Sequence, residues 1–230
     1  MSADDSKTKA AGTKAPPPFP PEDRAGRAKK AIVLFLIIAA SMLAVDLGIK
    51  AWAFDTVAGT SVDVSLYDEV GRDVIPPHPA VGFIPKILSW KLVLNEGAVF
   101  GLGQGGRWFF ILISAIATTV ISIMFYRSHR KAWILHVGLA LILAGALGNM
   151  YDRMLYGVVR DMCWLFPGVD LPFGWSWPGG SRELYPWIFN IADAALLLGV
   201  AAVMFEMFFG KWSQPQPPAT DASSSEPVAD

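Results

Sequence analysis

The chain has 230 residues, of which 53% are hydrophobic and only 17% are charged, and its formal net charge is −1. This composition is unusual for a soluble domain and ordinary for a membrane protein with several spans. The single cysteine, Cys163, excludes an internal disulfide.

Four segments are long and apolar enough to cross a bilayer, which takes about 20 residues each. They are predicted at about 31–52, 108–126, 132–150 and 188–209. The predicted fold class is membrane all-α with a small β portion. The tails at 1–30 and 210–230 are polar and rich in Ala, Pro or Ser, and disorder is expected there.

Basic residues mark one side of this arrangement. They flank the spans at Arg24, Arg27, Lys29, Lys30, Arg127, Arg130, Lys131 and Lys211. The positive-inside rule therefore predicts that both termini are cytoplasmic and that segments 53–107 and 151–187 lie on the opposite, outer side of the membrane. A cleaved signal peptide is the alternative for the first span. The long hydrophilic segment before it, and the polar Asp46 and Lys50 within it, disfavour that alternative.

The outer segments carry strand and interface patterns. The stretch TVAGTSVDVSLYDEV (56–70) alternates weakly, whereas ILSWKLVLNEGAVFGL (87–102) alternates clearly, with Trp90, Leu92 and Leu94 on one face. A small sheet resting on the outer membrane surface is predicted from them, with a loop or helix over the outer ends of the spans. Several aromatic residues of the second segment fit an interfacial belt: Trp164, Trp175, Trp177, Tyr185 and Trp187.

Asp161 and Asp193 stand at the outer edge of lipid, where a carboxylate is costly. At the bilayer centre the cost is about 2.5 to 3.5 kcal/mol on insertion scales, so such groups indicate function. Each is a candidate partner for the other. Further polar pairs at helical spacing share this end: Asp46 with Lys50, Asn149 with Arg153, and Asn190 with Asp193. For Asp46 and Lys50 a structural salt bridge and a substrate contact both remain open, while Asn149 and Arg153 are expected to brace loops and backbone carbonyls.

The residue types at this end of the spans limit which reactions the protein could catalyse. A thiol nucleophile needs a nearby histidine, yet His136 begins the third span, roughly 20 Å of helical rise from its outer end. His78, in an outer loop, is not excluded by this distance. The three scattered histidines lack zinc-ligand spacing. Two close carboxylates can share one proton, activate a water and stabilise an oxyanion, as in aspartic proteases. A proton relay or a helix-packing pair is the alternative.

Four ordered blocks resemble lipoprotein signal peptidase (signal peptidase II), a bacterial inner-membrane aspartic protease family. They are VDLGIKAW (45–52), NEGAVFGL (95–102), GALGNMYDRMLYGVVRDM (145–162) and FNIADAALLLG (189–199). Against the family pattern, segments 56–79 and 163–187 look extended, and Leu47 and Met162 replace the residues often found there.

The resemblance implies that Asp161 and Asp193 are the catalytic dyad. It implies supporting or substrate-binding roles for Asp46, Lys50, Asn95, Gly97, Asn149, Arg153 and Asn190. The implied substrate is a diacylglyceryl-modified prolipoprotein, cleaved just before its lipidated cysteine at the periplasmic face of the inner membrane.

Further expectations concern partners. Membrane lipid and a globomycin-type inhibitor are expected to bind, while no cofactor, metal or nucleic acid is expected, and the chain should act as a monomer. A proton-coupled transporter using the same carboxylates is the main alternative, and a non-catalytic assembly factor is a third.

Overall fold

A computed structural model of the chain describes residues 19–97 and 106–210. Within these ranges, four helices are long and apolar enough to cross a membrane: α1 (Lys29–Thr56), α3 (Arg107–Arg127), α4 (Trp133–Tyr156) and α5 (Ile191–Phe209). One short helix, α2 (Tyr67–Val70), lies between the first two of them. The prediction of a mostly helical fold with four helices able to span a membrane is therefore confirmed.

A four-stranded antiparallel sheet lies at one end of the helices. Its strands are β1 (Val81–Ile84), β2 (Leu88–Asn95), β3 (Val159–Leu165) and β4 (Ile188–Phe189), in the order β1-β2-β3-β4. Leu92 and Leu94 are buried and Trp90 packs against the same apolar cluster, as the alternation of this strand predicted. The cluster holds the sheet against the end of α1 through Phe54.

The weakly alternating segment 56–70 is not a strand, so that part of the prediction is wrong. Residues Val64–Leu66 and Gly71–Val74 form 3-10 turns on either side of α2. The Asp63 carboxylate accepts a hydrogen bond from the Ser65 backbone N–H at 3.0 Å, which starts the first turn. Gly71 has φ +65° and therefore ends α2 in a conformation that disfavours other residues.

Two predicted span boundaries change for local reasons. Helix α4 continues to Tyr156 and stops at Gly157, whose φ of +79° is the left-handed conformation typical after a helix. The last span begins at Ile191 rather than 188, because Ile188–Phe189 pairs with β3. The outer end of α4 is thus one to two turns longer than its apolar run.

Helix α4 is the central helix and contacts α1, α3 and α5. Its approach to α5 depends on small residues: a Cβ on Gly199 would lie 2.7 Å from the Gly138 carbonyl oxygen, and one on Gly138 would lie 2.9 Å from the Gly199 carbonyl oxygen. Without water between lipid-embedded helices, close packing of this kind holds them together. The outward faces of α1, α3 and α5 expose large apolar side chains, as a lipid-facing surface requires.

The region before α1 is more ordered than the sequence suggested. Residues Pro21–Asp23 and Ala25–Arg27 form 3-10 turns that lie on the link between α3 and α4. The expected disordered tail to residue 30 therefore differs from the structure over residues 19–30. The predicted tails at 1–18 and 211–230, and part of the block at 95–102, lie outside the described residues.

We expect Gly199→Ala to lower the free energy of unfolding by about 1 to 3 kcal/mol, because the methyl group overpacks the α4–α5 contact. Unfolding of the purified protein in detergent measures this. Gly48→Ala is the matched control: nothing lies within 4 Å of its Cβ position. There, stability should be unchanged or raised by up to about 1 kcal/mol. Equal effects of the two changes would contradict the packing account.

Candidate active site

Asp161 and Asp193 come from different elements that the sheet brings together. Asp161 lies on β3, and Asp193 lies in the first turn of α5. Because Cys163 pairs with Phe189, the chain leaves β4 beside β3 and turns directly into α5. The sequence of β3, VRDMCWL, does not alternate between apolar and polar residues, and most of these residues are buried. Alternation therefore does not predict that Asp161 lies on a strand.

Asn190 caps α5 and fixes the backbone at Asp193. Its side-chain oxygen accepts the Asp193 N–H at 3.0 Å, and the Asp193 carboxylate accepts the Asn190 N–H at 3.2 Å. These reciprocal bonds form a capping box. The Asp193 carboxylate therefore lies at the positive end of the helix dipole, which stabilises a negative charge.

Asparagine amides link the two carboxylates. The Asn190 side-chain N–H₂ donates to Asp161 Oδ1 at 2.6 Å and to Asn149 Oδ1 at 3.1 Å. The Asn149 side-chain N–H₂ in turn donates to Asp193 Oδ1 at 2.8 Å. Asn149 was expected to brace backbone carbonyls; instead its amide contacts a carboxylate directly.

The second oxygen of Asp161 is held from the end of β2. Asn95 Nδ2 donates to Asp161 Oδ2 at 3.0 Å, and Asn95 Oδ1 accepts the Gly97 N–H at 2.8 Å. Gly97 has φ +92°, and a Cβ there would collide with the Phe110 ring. Glycine is therefore required to turn the chain after Asn95.

Lys50 is the charged centre beneath these groups. Its ammonium contacts Asp46 Oδ2 at 2.8 Å and Asp152 Oδ2 at 3.3 Å, and it donates to Asn149 Oδ1 at 3.2 Å. Its side chain is fully buried. Asp46 also accepts the Ala192 N–H at 2.8 Å, which ties α1 to the start of α5. These contacts are consistent with the structural salt bridge considered from the sequence.

Asp152 and Arg160 belong to the same cluster, although sequence reasoning did not single them out. Arg160 donates to Asp152 Oδ1 through Nε at 3.2 Å and Nη2 at 2.8 Å, and its backbone N–H donates to Asp152 Oδ2 at 3.0 Å. The fork joins the end of α4 to the residue before Asp161. The cost of a carboxylate near lipid, which drew attention to Asp161, applies equally to Asp152.

Arg153 lies at the edge of the cluster. Its Nη1 donates to the Asn149 carbonyl oxygen at 3.3 Å, and its guanidinium stacks over Phe110 at 4.8 Å. The first contact fits the expected bracing of a backbone carbonyl. Hydrogen bonds and ion pairs thus connect all of the candidate residues: Asp46, Lys50, Asn95, Gly97, Asn149, Arg153, Asp161, Asn190 and Asp193.

Burial and the neighbouring Asp193 raise the pKa of Asp161 to about 7, against the hydrogen bonds from Asn95 and Asn190 and the more distant Lys50. A proton on Asp161 is therefore available near neutral pH. Burial also raises the pKa of Cys163 to about 12, and the thiol packs in the apolar cluster under the sheet. An unionised buried thiol is a poor nucleophile.

The extended outer segment reaches this site through Glu96, the neighbour of Asn95. The Tyr67 hydroxyl donates to Glu96 Oε1 at 2.6 Å, and Arg72 Nη2 pairs with the same oxygen at 3.2 Å. The α2 region, which the sequence suggested as a family-atypical extension, is therefore attached beside the residue that holds Asp161.

Comparison with known proteins assigns the chain to a family. The family model for signal peptidase (SPase) II matches residues 38–209. The chain belongs to the signal peptidase II family. It is accordingly a membrane peptidase of the aspartic type, and the matched range contains every element of the cluster described above.

Two similar curated proteins are named lipoprotein signal peptidase. This peptidase is 34% identical over 171 residues to the lipoprotein signal peptidase of Pseudomonas syringae pv. tomato, which covers 72% of this chain and 90% of the relative. It is also 34% identical over 192 residues to the lipoprotein signal peptidase of Psychromonas ingrahamii, covering 81% and 91%.

Two solved structures of bacterial membrane enzymes share the fold of this peptidase. One superposes with a TM-score of 0.55 at 26% identity, covering 76% of this chain and 92% of the other. The second has a TM-score of 0.53 at 24% identity, covering 80% and 94%.

We expect Lys50→Met to lower the stability of this peptidase by about 3 to 5 kcal/mol, because Asp46 and Asp152 lose the cation between them. Unfolding in detergent at neutral pH measures it. Lys91→Met is the control, since Lys91 only stacks over Trp164 at 5.0 Å, a contact worth about 0.5 to 1 kcal/mol. A loss at Lys50 no larger than at Lys91 would refute the central role of this ammonium.

Proposed function

We propose that this peptidase removes the signal peptide from diacylglyceryl-modified prolipoproteins, cutting just before the lipidated cysteine with Asp161 and Asp193 as a catalytic dyad. The observation that carries the proposal is the pair of short amide bridges through Asn190 and Asn149, which hold two carboxylates together at one end of the helices. The relatives named lipoprotein signal peptidase support the substrate class.

The surroundings of the two carboxylates suit them to different roles in the reaction. Asp193 lies at the positive end of α5 and accepts hydrogen bonds from Asn149 and from the Asn190 N–H, an arrangement that suits the carboxylate that activates the water. Asp161, with its pKa raised to about 7, is suited to hold the shared proton. Asp193 then takes a proton from a water as that water attacks the scissile carbonyl carbon, and Asp161 donates a hydrogen bond to the developing oxyanion.

Collapse of the tetrahedral intermediate completes the reaction. The C–N bond breaks, the leaving amine takes the proton that Asp193 accepted, and the carbonyl re-forms while Asp161 keeps the proton with which it bonded the oxyanion. Each carboxylate ends in its starting state, so the cycle needs neither an acyl-enzyme nor an oxidant.

The lipid on the substrate gives a reason for the location of the dyad. Acyl chains attached to the substrate cysteine remain in the bilayer, which brings the peptide bond before that cysteine to the membrane boundary. In this proposal the peptidase domain spans 31–209 in the inner membrane, the dyad faces the periplasm, and both termini are cytoplasmic. The cations Arg24, Arg127 and Arg130, at the end opposite the sheet, support this orientation.

One chain supplies both carboxylates and all of their asparagine donors, so a monomer is sufficient. A cyclic peptide of the globomycin type is the expected inhibitor, because it would occupy the substrate's peptide position beside the dyad.

Asp161→Asn and Asp193→Asn should each lower the rate of prolipoprotein cleavage by about 10²- to 10⁴-fold, because Asn preserves shape but cannot carry the proton. The assay uses a lipidated prolipoprotein in detergent micelles, and the thermal midpoint verifies folding. Asp170→Asn, an exposed carboxylate 4.0 Å from Arg182, is the matched control. Cys163→Ala should also keep its activity. Cleavage at the wild-type rate by either dyad variant would refute the assignment.

The same variants separate the peptidase from a proton-coupled transporter. Residues 137–148 of α4 are apolar, a gap of about 18 Å in any chain of relay groups along that helix. Liposomes containing the wild-type protein should therefore show no proton flux above empty liposomes. A flux that Asp161→Asn abolishes would favour the transporter.

Cleavage should fall as the pH rises through about 7, because Asp161 then loses the proton that the carbonyl oxygen requires. The sign follows from the raised pKa, which keeps this acid protonated to higher pH than an ordinary aspartate, at about 3.9. Asn95→Ala removes a hydrogen-bond donor that favours ionised Asp161. The cleavage activity of this variant should therefore fall at a higher pH than that of the wild type. A pH series of kcat/KM tests both, with Cys163→Ala expected to follow the wild type. A shift of Asn95→Ala to lower pH would contradict the role of Asp161.

A further inference from the structure

A groove runs along α3 at the end of the molecule opposite the dyad. Its wide part is a cavity of about 590 Å³ whose lining includes Arg24, Arg127 and the hydroxyl residues Thr118, Thr119 and Ser122. A second cavity of about 260 Å³ is lined by Ala115, Ile116, Thr119 and Val120. Thr119 borders both, so the groove continues from the cationic end of α3 towards the middle of the membrane.

The segment before α1 builds one wall of this groove. The Ala25 N–H donates to the Ser128 carbonyl oxygen at 2.9 Å, and the Arg130 N–H donates to the Asp23 carbonyl oxygen at 2.7 Å. Gly26 packs so closely on the Tyr126 ring that a Cβ would collide with it. Arg24 is thus held by backbone contacts beside the last turn of α3.

Two guanidinium groups on the groove lack an acidic partner. Among residues 19–97 and 106–210, no carboxylate forms a salt bridge with Arg24 or Arg127, whereas nearby Asp23 pairs with Arg130 at 3.1 Å. The Nε of Arg24 donates to the Phe19 carbonyl oxygen at 3.1 Å, which leaves its other N–H groups for a ligand. Two adjacent guanidinium forks suit the oxygens of a phosphate group.

The polarity of the groove decreases with depth in the membrane, as the polarity of a phospholipid decreases from its headgroup to its acyl chains. Ser122 lies five residues before Arg127, about 7.5 Å along the helix. The headgroup layer on each side of a bilayer is also about 5 to 7.5 Å thick. The hydroxyls therefore begin where ester groups follow the phosphate, and Ile116 and Val120 lie deeper, beside the acyl chains.

Thr118 supplies an independent sign of a missing partner. Its Oγ1 is buried and has no hydrogen-bond partner in the described part of the chain, whereas Thr119 and Ser122 donate to backbone carbonyls one turn earlier. A buried hydroxyl without a partner is costly. An ester carbonyl of a lipid in the groove would accept its hydrogen.

We infer that this groove binds one anionic phospholipid, with its phosphate between Arg24 and Arg127, an ester oxygen at Thr118 and an acyl chain along Ile116 and Val120. The site is independent of the dyad, because it uses other residues at the other end of α3 and α4. The shape and polarity of the groove select this lipid, whereas lipid attracted by general surface charge would not need them.

The test uses the full-length peptidase in neutral detergent, titrated with phosphatidylglycerol or phosphatidylcholine of the same acyl chains. Native mass spectrometry should detect one tightly bound phosphatidylglycerol, which should also raise the thermal midpoint more than phosphatidylcholine does. Arg24→Gln with Arg127→Gln should weaken phosphatidylglycerol binding by about tenfold or more. Arg27→Gln, an exposed cation at the same end that does not line the groove, should change it by less than about twofold.

Thr118→Val gives a second readout that does not depend on charge. It should weaken phosphatidylglycerol binding about fivefold, yet leave the lipid-free protein as stable or more so, because it removes a buried unpaired hydroxyl. Equal binding of the two lipids, an equal loss with Arg27→Gln, or the same stabilisation by glycerol phosphate without acyl chains would each overturn the inference.

Discussion

The buried ammonium of Lys50 is the interaction on which the rest of the site depends. A charge removed from water is tolerated only when ionic and hydrogen-bonding partners surround it, and here those partners come from different helices. Asp46 shares α1 with Lys50 and also holds the start of α5 through Ala192. Asp152 comes from α4, contacts Lys50, and binds β3 through its ion pair with Arg160. Satisfying one cation therefore fixes the elements that carry both catalytic candidates.

The cation does not touch Asp161 or Asp193; neutral amides do. Lys50 contacts the side-chain oxygen Oδ1 of Asn149, while the side-chain amide nitrogens of Asn149, Asn190 and Asn95 face the two carboxylates. An adjacent cation would favour ionisation of both carboxylates. Amide donors orient the oxygens with a weaker bias, so that burial and mutual repulsion can leave a proton on Asp161.

The two ends of the bundle use the same helices for different purposes. Between the two ends of the bundle, close contact at Gly138 and Gly199 keeps α4 and α5 together. The part of α4 that joins the two ends is apolar. Towards the sheet, α4 supplies Asn149 and Asp152 to the site. At the other end, the link after α3 receives the segment from Pro21 to Arg27, which encloses the groove at Arg24.

Several features follow from the sequence alone. Long apolar runs require membrane-spanning helices, because a helix alone satisfies its own backbone in lipid, and helical spacing pairs Asp46 with Lys50. Burial cost drew attention to Asp161 and Asp193. Only the tertiary structure decided that Asp161 lies on a strand, that 64–74 is helical, and that Asp152 with Arg160 completes the cluster. The first and the last of these outcomes depend on pairing between β2 and β3 and between β3 and β4. Local periodicity reports which face of an element is apolar; it carries no information on which distant residue will lie opposite.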